Sequence, residues 1–278
     1  MVREAQAVSA GRLYSGAAFD HVLTFRVSYG GVCAFTRPSP AQPDRSNEDS
    51  VLVWDDQAGP AVIAVADGAG GHPGGADASR VTIEQLAAAL ESAHAGSRRD
   101  AILDGFEAAN RAVLALGIGA ATTLAVAEIG QDWVRSYHAG DSGVLVTGRR
   151  GKLQLVTVGH APVAYAVEAG LLNEDDAMVH HDLNLVNNLI GSAALRIELG
   201  PRRQLKRFDT VVVASDGLFD NLRQHEVADH IRAGQLAKCA QRLIGHCAER
   251  MRETDADLPG KPDDLSFVLF RRGASGPA

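Results

Sequence analysis

Cysteine is scarce in this chain: three among 278 residues, Cys33, Cys239 and Cys247, with no C-x-x-C pair and one left over under any single disulfide. Neither a zinc ribbon nor a disulfide framework is suggested, and the three thiols read as small buried hydrophobes. No apolar run approaches the roughly 18–20 residues of a membrane span, and no signal-peptide core follows Met1-Val2-Arg3-Glu4. By elimination the expectation is a cytoplasmic protein without a membrane contact. A basic excess is missing as well: 27 Lys and Arg against 34 Asp and Glu leave a net charge of −7, which disfavours nucleic acid as a partner. No repeat at a period of about 20–50 residues is found, and neither a Gly-x4-Gly-Lys-Ser/Thr loop nor a dinucleotide fingerprint occurs.

What is present is an ordinary globular composition, 46% hydrophobic and 22% charged, in a chain long enough to bury a large apolar core. We expect residues 1–20 to form a mobile N-terminal extension, 21–272 a single domain and 273–278 a disordered tail. Short apolar, β-branched runs predict strands at 51–54, 62–65, 124–126, 144–146, 155–158, 211–213 and 267–270, with another over 133–138. Helical spacing links Ile102, Phe106, Ala109, Val113 and Leu116, and again Leu236, Ala240, Leu243 and Cys247; a third helix is expected from about Ala76 to His94, with Ile83, Leu86 and Leu90 inward. The connections among 124–147 are too short for helical crossovers, so antiparallel hairpins and an α+β layered domain are favoured.

Acidic residues stand where strands end. Val62-Ile63-Ala64-Val65-Ala66 runs into Asp67-Gly68, Val211-Val212-Val213-Ala214-Ser215 into Asp216-Gly217, and the strand ending at Gly140 into Asp141-Ser142. Singly, each is an ordinary turn or cap. With Glu48-Asp49 and Asp263-Asp264 they make five clusters that one sheet rim can gather. Carboxylates so close cannot all remain ionised without a cation among them, and oxygen ligation points to Mg²⁺ or Mn²⁺ rather than zinc. Two such ions sharing a carboxylate activate water and stabilise in-line displacement at phosphorus, the chemistry of phosphoester hydrolysis.

At these residues the sequence resembles the metal-dependent Ser/Thr protein phosphatases of the protein phosphatase 2C type, and their bacterial branch in particular. The resemblance runs from about Ser46 to Arg271 through Asn47-Glu48-Asp49-Ser50, Val65-Ala66-Asp67-Gly68-Ala69-Gly70-Gly71-His72 with Ala78-Ser79, Gly119-Ala120-Ala121-Thr122-Thr123, Ala139-Gly140-Asp141-Ser142, Ala214-Ser215-Asp216-Gly217-Leu218-Phe219-Asp220 and Asp263-Asp264-Leu265-Ser266. It implies a four-layer αββα sandwich of two antiparallel sheets flanked by helix pairs, and a phosphoprotein phosphatase with two Mn²⁺ or Mg²⁺ ions. By the same resemblance Asp67 bridges both ions, and Gly68 (through its carbonyl) and Glu48 hold the second. Asp216 and Asp263 complete the first, Asp49 orients metal-bound water, and Asp141 resembles the acid that bacterial members use for a third ion. The implied nucleophile is a hydroxide bridging the ions. Phosphoprotein substrates, an opposing Ser/Thr kinase and a monomeric state are the expected associations. The alternative is a non-catalytic, phosphatase-like regulator that binds a phosphoprotein or partner.

The departures bear on that alternative. Where the family carries a phosphate-gripping Arg, four residues before Glu48, this chain has Asp44, with Arg45 one place later; Arg45 is either a phosphate ligand or a surface arginine. Position 264 is Asp where the family commonly has Asn. The flap region 160–191 keeps only a loose likeness and lacks the usual Arg. His180-His181-Asp182 invites a metal reading, but adjacent histidines on an extended chain point apart, so solvated or hydrogen-bonded loop residues are expected. His72 is a weak candidate for a proton relay, Gly70-Gly71 and Gly74-Gly75 for a tight backbone path, and Trp54 and Trp133 for the core.

Overall fold

The computed structural model describes residues 6–8, 10–69, 74–93, 98–252 and 259–273. In chain order its strands are β1 (Gln6–Val8), β2 (Gly11–Ser15), β3 (Leu23–Val27), β4 (Gly30–Arg37), β5 (Asp49–Trp54), β6 (Ala61–Asp67), β7 (Leu124–Ile129), β8 (Trp133–Ala139), β9 (Gly143–Thr147), β10 (Leu153–Val156), β11 (Glu198–Leu199), β12 (Arg203–Gln204), β13 (Thr210–Ala214) and β14 (Leu265–Arg272). The helices are α1 (Gly75–Ser92), α2 (Arg98–Ala115), α3 (Pro162–Glu168), α4 (Glu174–Met178), α5 (Asp216–Phe219), α6 (Gln224–Ile231) and α7 (Leu236–Arg250). One sheet runs β1-β2-β5-β6-β7-β8-β11, with β12 also on β8; the other runs β10-β9-β13-β14-β4-β3. Neighbours pair antiparallel throughout, as the short connections required.

The period of two along each central strand builds the layers. In β6, Val62, Ala64 and Ala66 face α1 and α2, joining Ile83, Leu86, Leu90, Ile102 and Phe106 in one core. Ile63 and Val65 face the other way and meet Val211, Val213 and Val268 of the second sheet. In β13, Val212 and Ala214 turn to the outer core with Leu243 and Cys247 of α7. Strands covered on both faces need apolar side chains at every position, which is why β6 and β13 read as unbroken apolar runs. The result is a four-layer αββα sandwich, as expected.

The expected helices stand, with Leu116 falling just past the end of α2. All three cysteines are buried and unpaired. Trp54 is core, whereas Trp133 is half-buried under the Arg202 guanidinium, 4.0 Å from its ring centre. The first twenty residues depart from the expectation of a mobile extension: from residue 11 they hold β2, paired along β5, and bury Leu13, Tyr14, Ala17 and Phe19. Residues 274–278, His72 and Gly70-Gly71 lie outside the described residues. Among the described residues no helix is long and apolar enough to cross a membrane.

Candidate metal centre

The ends of β6 and β13, the entry to β5 and the entry to β14 meet at one rim of the sandwich, around a cavity of about 300 Å³. Arg45, Glu48, Asp67, Gly68, Asp141, Asp216 and Asp263 all line it, so the residues singled out in the sequence converge. Asp49 stands behind them, directly across from Asp67 in the β5–β6 register and fully buried.

Hydroxyls and amides of the neighbouring motifs fix the main chain that carries Glu48, Asp49, Asp67 and Asp141. Thr122 Oγ1 donates to the Asp67 carbonyl at 2.6 Å, and the Asp67 N–H donates to Thr123 Oγ1 at 3.1 Å. Thr123 Oγ1 and Ser142 Oγ are 2.6 Å apart, which ties this strand end to the β8–β9 turn bearing Asp141. Buried Asn47 donates to the Ala17 carbonyl and Thr36 Oγ1 and accepts the Asp49 N–H, joining the N-terminal segment, β4 and β5. Ser79, buried in α1, donates to the Glu48 carbonyl, locking the helix to the site.

The two Asp-Gly pairs are not turns of positive φ, as an isolated reading would have them. A Cβ on Gly68 would lie 2.4 Å from the Gly75 backbone, and one on Gly217 would lie 2.0 Å from the Asp264 carbonyl oxygen. Glycine is needed there for close approach of two main chains, and the approach brings each aspartate to the rim.

The electrostatics follow from crowding under burial. Burial pushes the Asp49 and Asp67 carboxyls well above the ordinary carboxylate range, and neighbouring acids, Asp264 for the first and Asp49 for the second, push them further. Burial and Asp216 raise Asp141 to about 7 and Asp263 to about 6. Asp216 is the exception: burial would raise it, but Lys261, Asp67 and the Gly217 N–H outweigh burial and hold it below its usual value. Oδ1 of Asp49 is buried without a protein partner. Carboxylates, one carbonyl and an orphaned carboxylate oxygen make a donor set suited to hard divalent ions, so the residues fit the implied ions.

Three features of the site go beyond the sequence reading. The Asp264 carboxylate accepts the Ser39 N–H on Oδ1 and the Glu48 N–H on Oδ2, each at 2.7 Å; an Asn has one acceptor oxygen and would satisfy only one. Asp220 is held by Lys261, 2.9 Å away, beside Asp216. His138 and His160 stack with ring centres 4.5 Å apart, close to Glu198. His160 Nδ1 accepts the Gly140 N–H at 3.0 Å, so the neutral ring carries its proton on Nε2, 3.3 Å from Glu198 Oε2. That ring, with its Asn188 contact, binds the 180–191 segment to the turn bearing Asp141. No local spacing joins His138 to His160; only the β8 pairing and the loop after β10 do.

Arg45 lies in a turn, its N–H donated to the Gln42 carbonyl, so the in–out alternation of a strand does not separate positions 44 and 45. Its guanidinium reaches Glu48 Oε2 at the cavity rim. His180 and His181 also sit in a turn rather than on extended chain; their rings stack at 4.4 Å instead of pointing apart, with His181 exposed.

A model of the family described as protein phosphatase 2C matches residues 38–253. Protein phosphatase PhpP of Streptococcus pneumoniae is 28% identical over 200 residues, 68% of this chain and 79% of PhpP. The structure of the S. agalactiae serine/threonine phosphatase superposes with a TM-score of 0.73 at 28% identity, covering 86% of this chain and 98% of that one. The catalytic domain of serine threonine protein phosphatase PstP, solved with two manganese ions, shares the fold with a TM-score of 0.70 at 24% identity, covering 86% and 96%.

Proposed function

The chain belongs to the protein phosphatase 2C family, and within that phosphoprotein phosphatase activity we propose that it removes phosphate from phosphoserine and phosphothreonine with two Mn²⁺ or Mg²⁺ ions held by Glu48, Asp67, Gly68, Asp216 and Asp263. The observation that carries this reading is the convergence of four half-buried carboxylates from four separate elements on one cavity, a crowding of negative charge that divalent cations offset. When bound, the ions supply an activated water for in-line attack at phosphorus and neutralise the phosphoryl oxygens.

The chain's own groups do the rest. Asp67 would be shared by the two ions, and its main chain is held by Thr122 at the carbonyl and by Thr123 at the N–H, which fixes the strand end that carries its carboxylate. Asp49, behind the cavity wall, keeps its buried Oδ1 without a protein partner while Ser215 Oγ donates to its other oxygen at 3.0 Å, which suits the role of orienting water on the ions. Arg45, reaching in from its turn, grips the substrate phosphate with a planar pair of donors. The displaced arginine and the altered flap region are what favour a non-catalytic regulator; the place of Arg45 on the cavity rim weighs against the first of these. On this reading the protein acts as a cytoplasmic monomer on phosphoproteins made by a Ser/Thr kinase, and Asp141 serves the edge of the site next to Asp216.

Hydrolysis of p-nitrophenyl phosphate and of a phosphothreonine peptide, each in EDTA, Mg²⁺ and Mn²⁺, tests the reading, with Asp216→Ala as the control. Metal-dependent turnover that falls by orders of magnitude in the variant is expected. Turnover that persists in EDTA, or in Asp216→Ala, overturns the site assignment.

A further inference from the structure

Lys261 is placed where a cation is wanted. Its Nζ lies 2.5 Å from Asp216 Oδ2, 2.9 Å from Asp220 Oδ2 and 3.2 Å from Asp263 Oδ2, so one ammonium serves three carboxylates. The backbone behind it is clasped twice by a fully buried amide: the Lys261 N–H donates to Asn221 Oδ1 and Asn221 Nδ2 donates to the Lys261 carbonyl, both at 2.9 Å. Asn221 also holds the Gly217 carbonyl at 3.0 Å, so the segment bearing Lys261 and the turn bearing Asp216 and Asp220 move as one piece. Pro262 follows directly and restricts the chain further.

The charge arithmetic favours the same role. Asp141 lines one cavity with Asp216 and Lys261 and the adjacent one with Asp220, so three acids share the neighbourhood of one ammonium. Lys261 is the cation in contact with Asp216, Asp220 and Asp263 among the described residues. It takes Oδ2 of Asp216 and leaves Oδ1 outside the contact, so a ligand oxygen remains for the ion shared with Asp67. A divalent ion drawn to the outer side of Asp216 by Asp141 and Asp220 would have to sit beside this ammonium.

We infer that Lys261 is a tethered resident cation that takes the place of a third divalent ion beside Asp216, Asp220 and Asp141, so that the chain binds two ions and not three. This inference rests on the two-ion phosphatase reading and changes one of its expectations, the third-ion role of Asp141. Lys261 is a positioning residue: it fixes the Asp216 carboxylate and closes the outer side of the cluster.

Equilibrium dialysis with Mn²⁺, with bound metal counted by mass spectrometry, tests it on the full chain, on Lys261→Gln and on Lys261→Met, each first checked for a cooperative thermal transition. Two ions in the native protein and a third, weaker one in the neutral variants are expected. Lys261→Arg keeps the charge and is expected to stay at two, a result that loss of packing alone would not produce. Three ions in the native protein, three in Lys261→Arg, or no gain in either neutral variant overturns the inference while leaving the two-ion reading intact. Fewer than two ions in the native protein overturns that reading and the inference together.

Discussion

Replacing Asp264 by Asn restores the residue the family commonly carries, yet here it should destabilise the protein. The Asp264 carboxylate accepts two main-chain N–H groups at 2.7 Å, from Ser39 and from Glu48. An amide can accept one of them; its NH₂ then faces the other donor. One hydrogen bond to a charged group is lost, worth about 1.5–3 kcal/mol. Against this stands relief of repulsion, because Asp264 is the largest of the neighbouring charges that push Asp49 upward. In the metal-free protein the two effects oppose one another. With Mn²⁺ loaded, the cations already offset the crowded negative charge and the lost bond decides. The expected outcome is a loss of about 2 kcal/mol in saturating Mn²⁺, a fall of roughly 4–8 °C in Tm, and a smaller loss in EDTA. Because the Glu48 N–H is one of the two donors, apparent Mn²⁺ affinity should fall as well. Thermal unfolding with and without Mn²⁺ measures both quantities. A variant as stable as the native protein in Mn²⁺ would refute the double-acceptor account of this position.

Arg45→Ala should raise KM for a phosphopeptide on the order of tenfold, from the loss of one charge-assisted contact to phosphate, with a smaller change in kcat; steady-state kinetics in saturating Mn²⁺ decide it. The metal-free protein should lose stability as pH rises. Asp263 and Asp141 are lifted to about 6 and about 7 from an ordinary value near 4, so between pH 4 and 7 the folded state holds more protons than the unfolded chain, and stability falls through that window. Thermal melts in EDTA should therefore show a lower Tm at pH 8 than at pH 5, a slope that saturating Mn²⁺ removes.

The parts of this fold that could be read in the sequence are those where one physical demand dominates. β6 and β13 are covered on both faces and therefore had to be apolar at every step; α1, α2 and α7 lie on a sheet and therefore kept one apolar stripe. β3 went unnamed although its signal was present: Leu23, Phe25 and Val27 are half-buried and alternate with exposed Thr24 and Arg26. The segment before residue 20 misled because Ala, Gly and Ser dominate it, while Leu13, Tyr14 and Phe19 supply its burial. At the site, Asp67, Asp216 and Asp141 were legible since each ends or follows a strand and precedes a small residue, and Glu48 and Asp263 since each opens an acidic pair just before a strand. Lys261 was not read as part of the site, and the contacts of Asp220 and Asp264 were not foreseen, because what they do depends on which loops the two sheets bring together. The same holds for His138 and His160, which meet only through tertiary contact.

The most direct test of the account is anomalous diffraction from crystals soaked in Mn²⁺. The account predicts two anomalous peaks flanking the Asp67 carboxylate, one reached by Asp216 and Asp263 and the other by Glu48 and the Gly68 carbonyl, with none at Lys261. Peaks confined to the His138–His160–Glu198 group, or no peak in the rim cavity at saturating Mn²⁺, would contradict it.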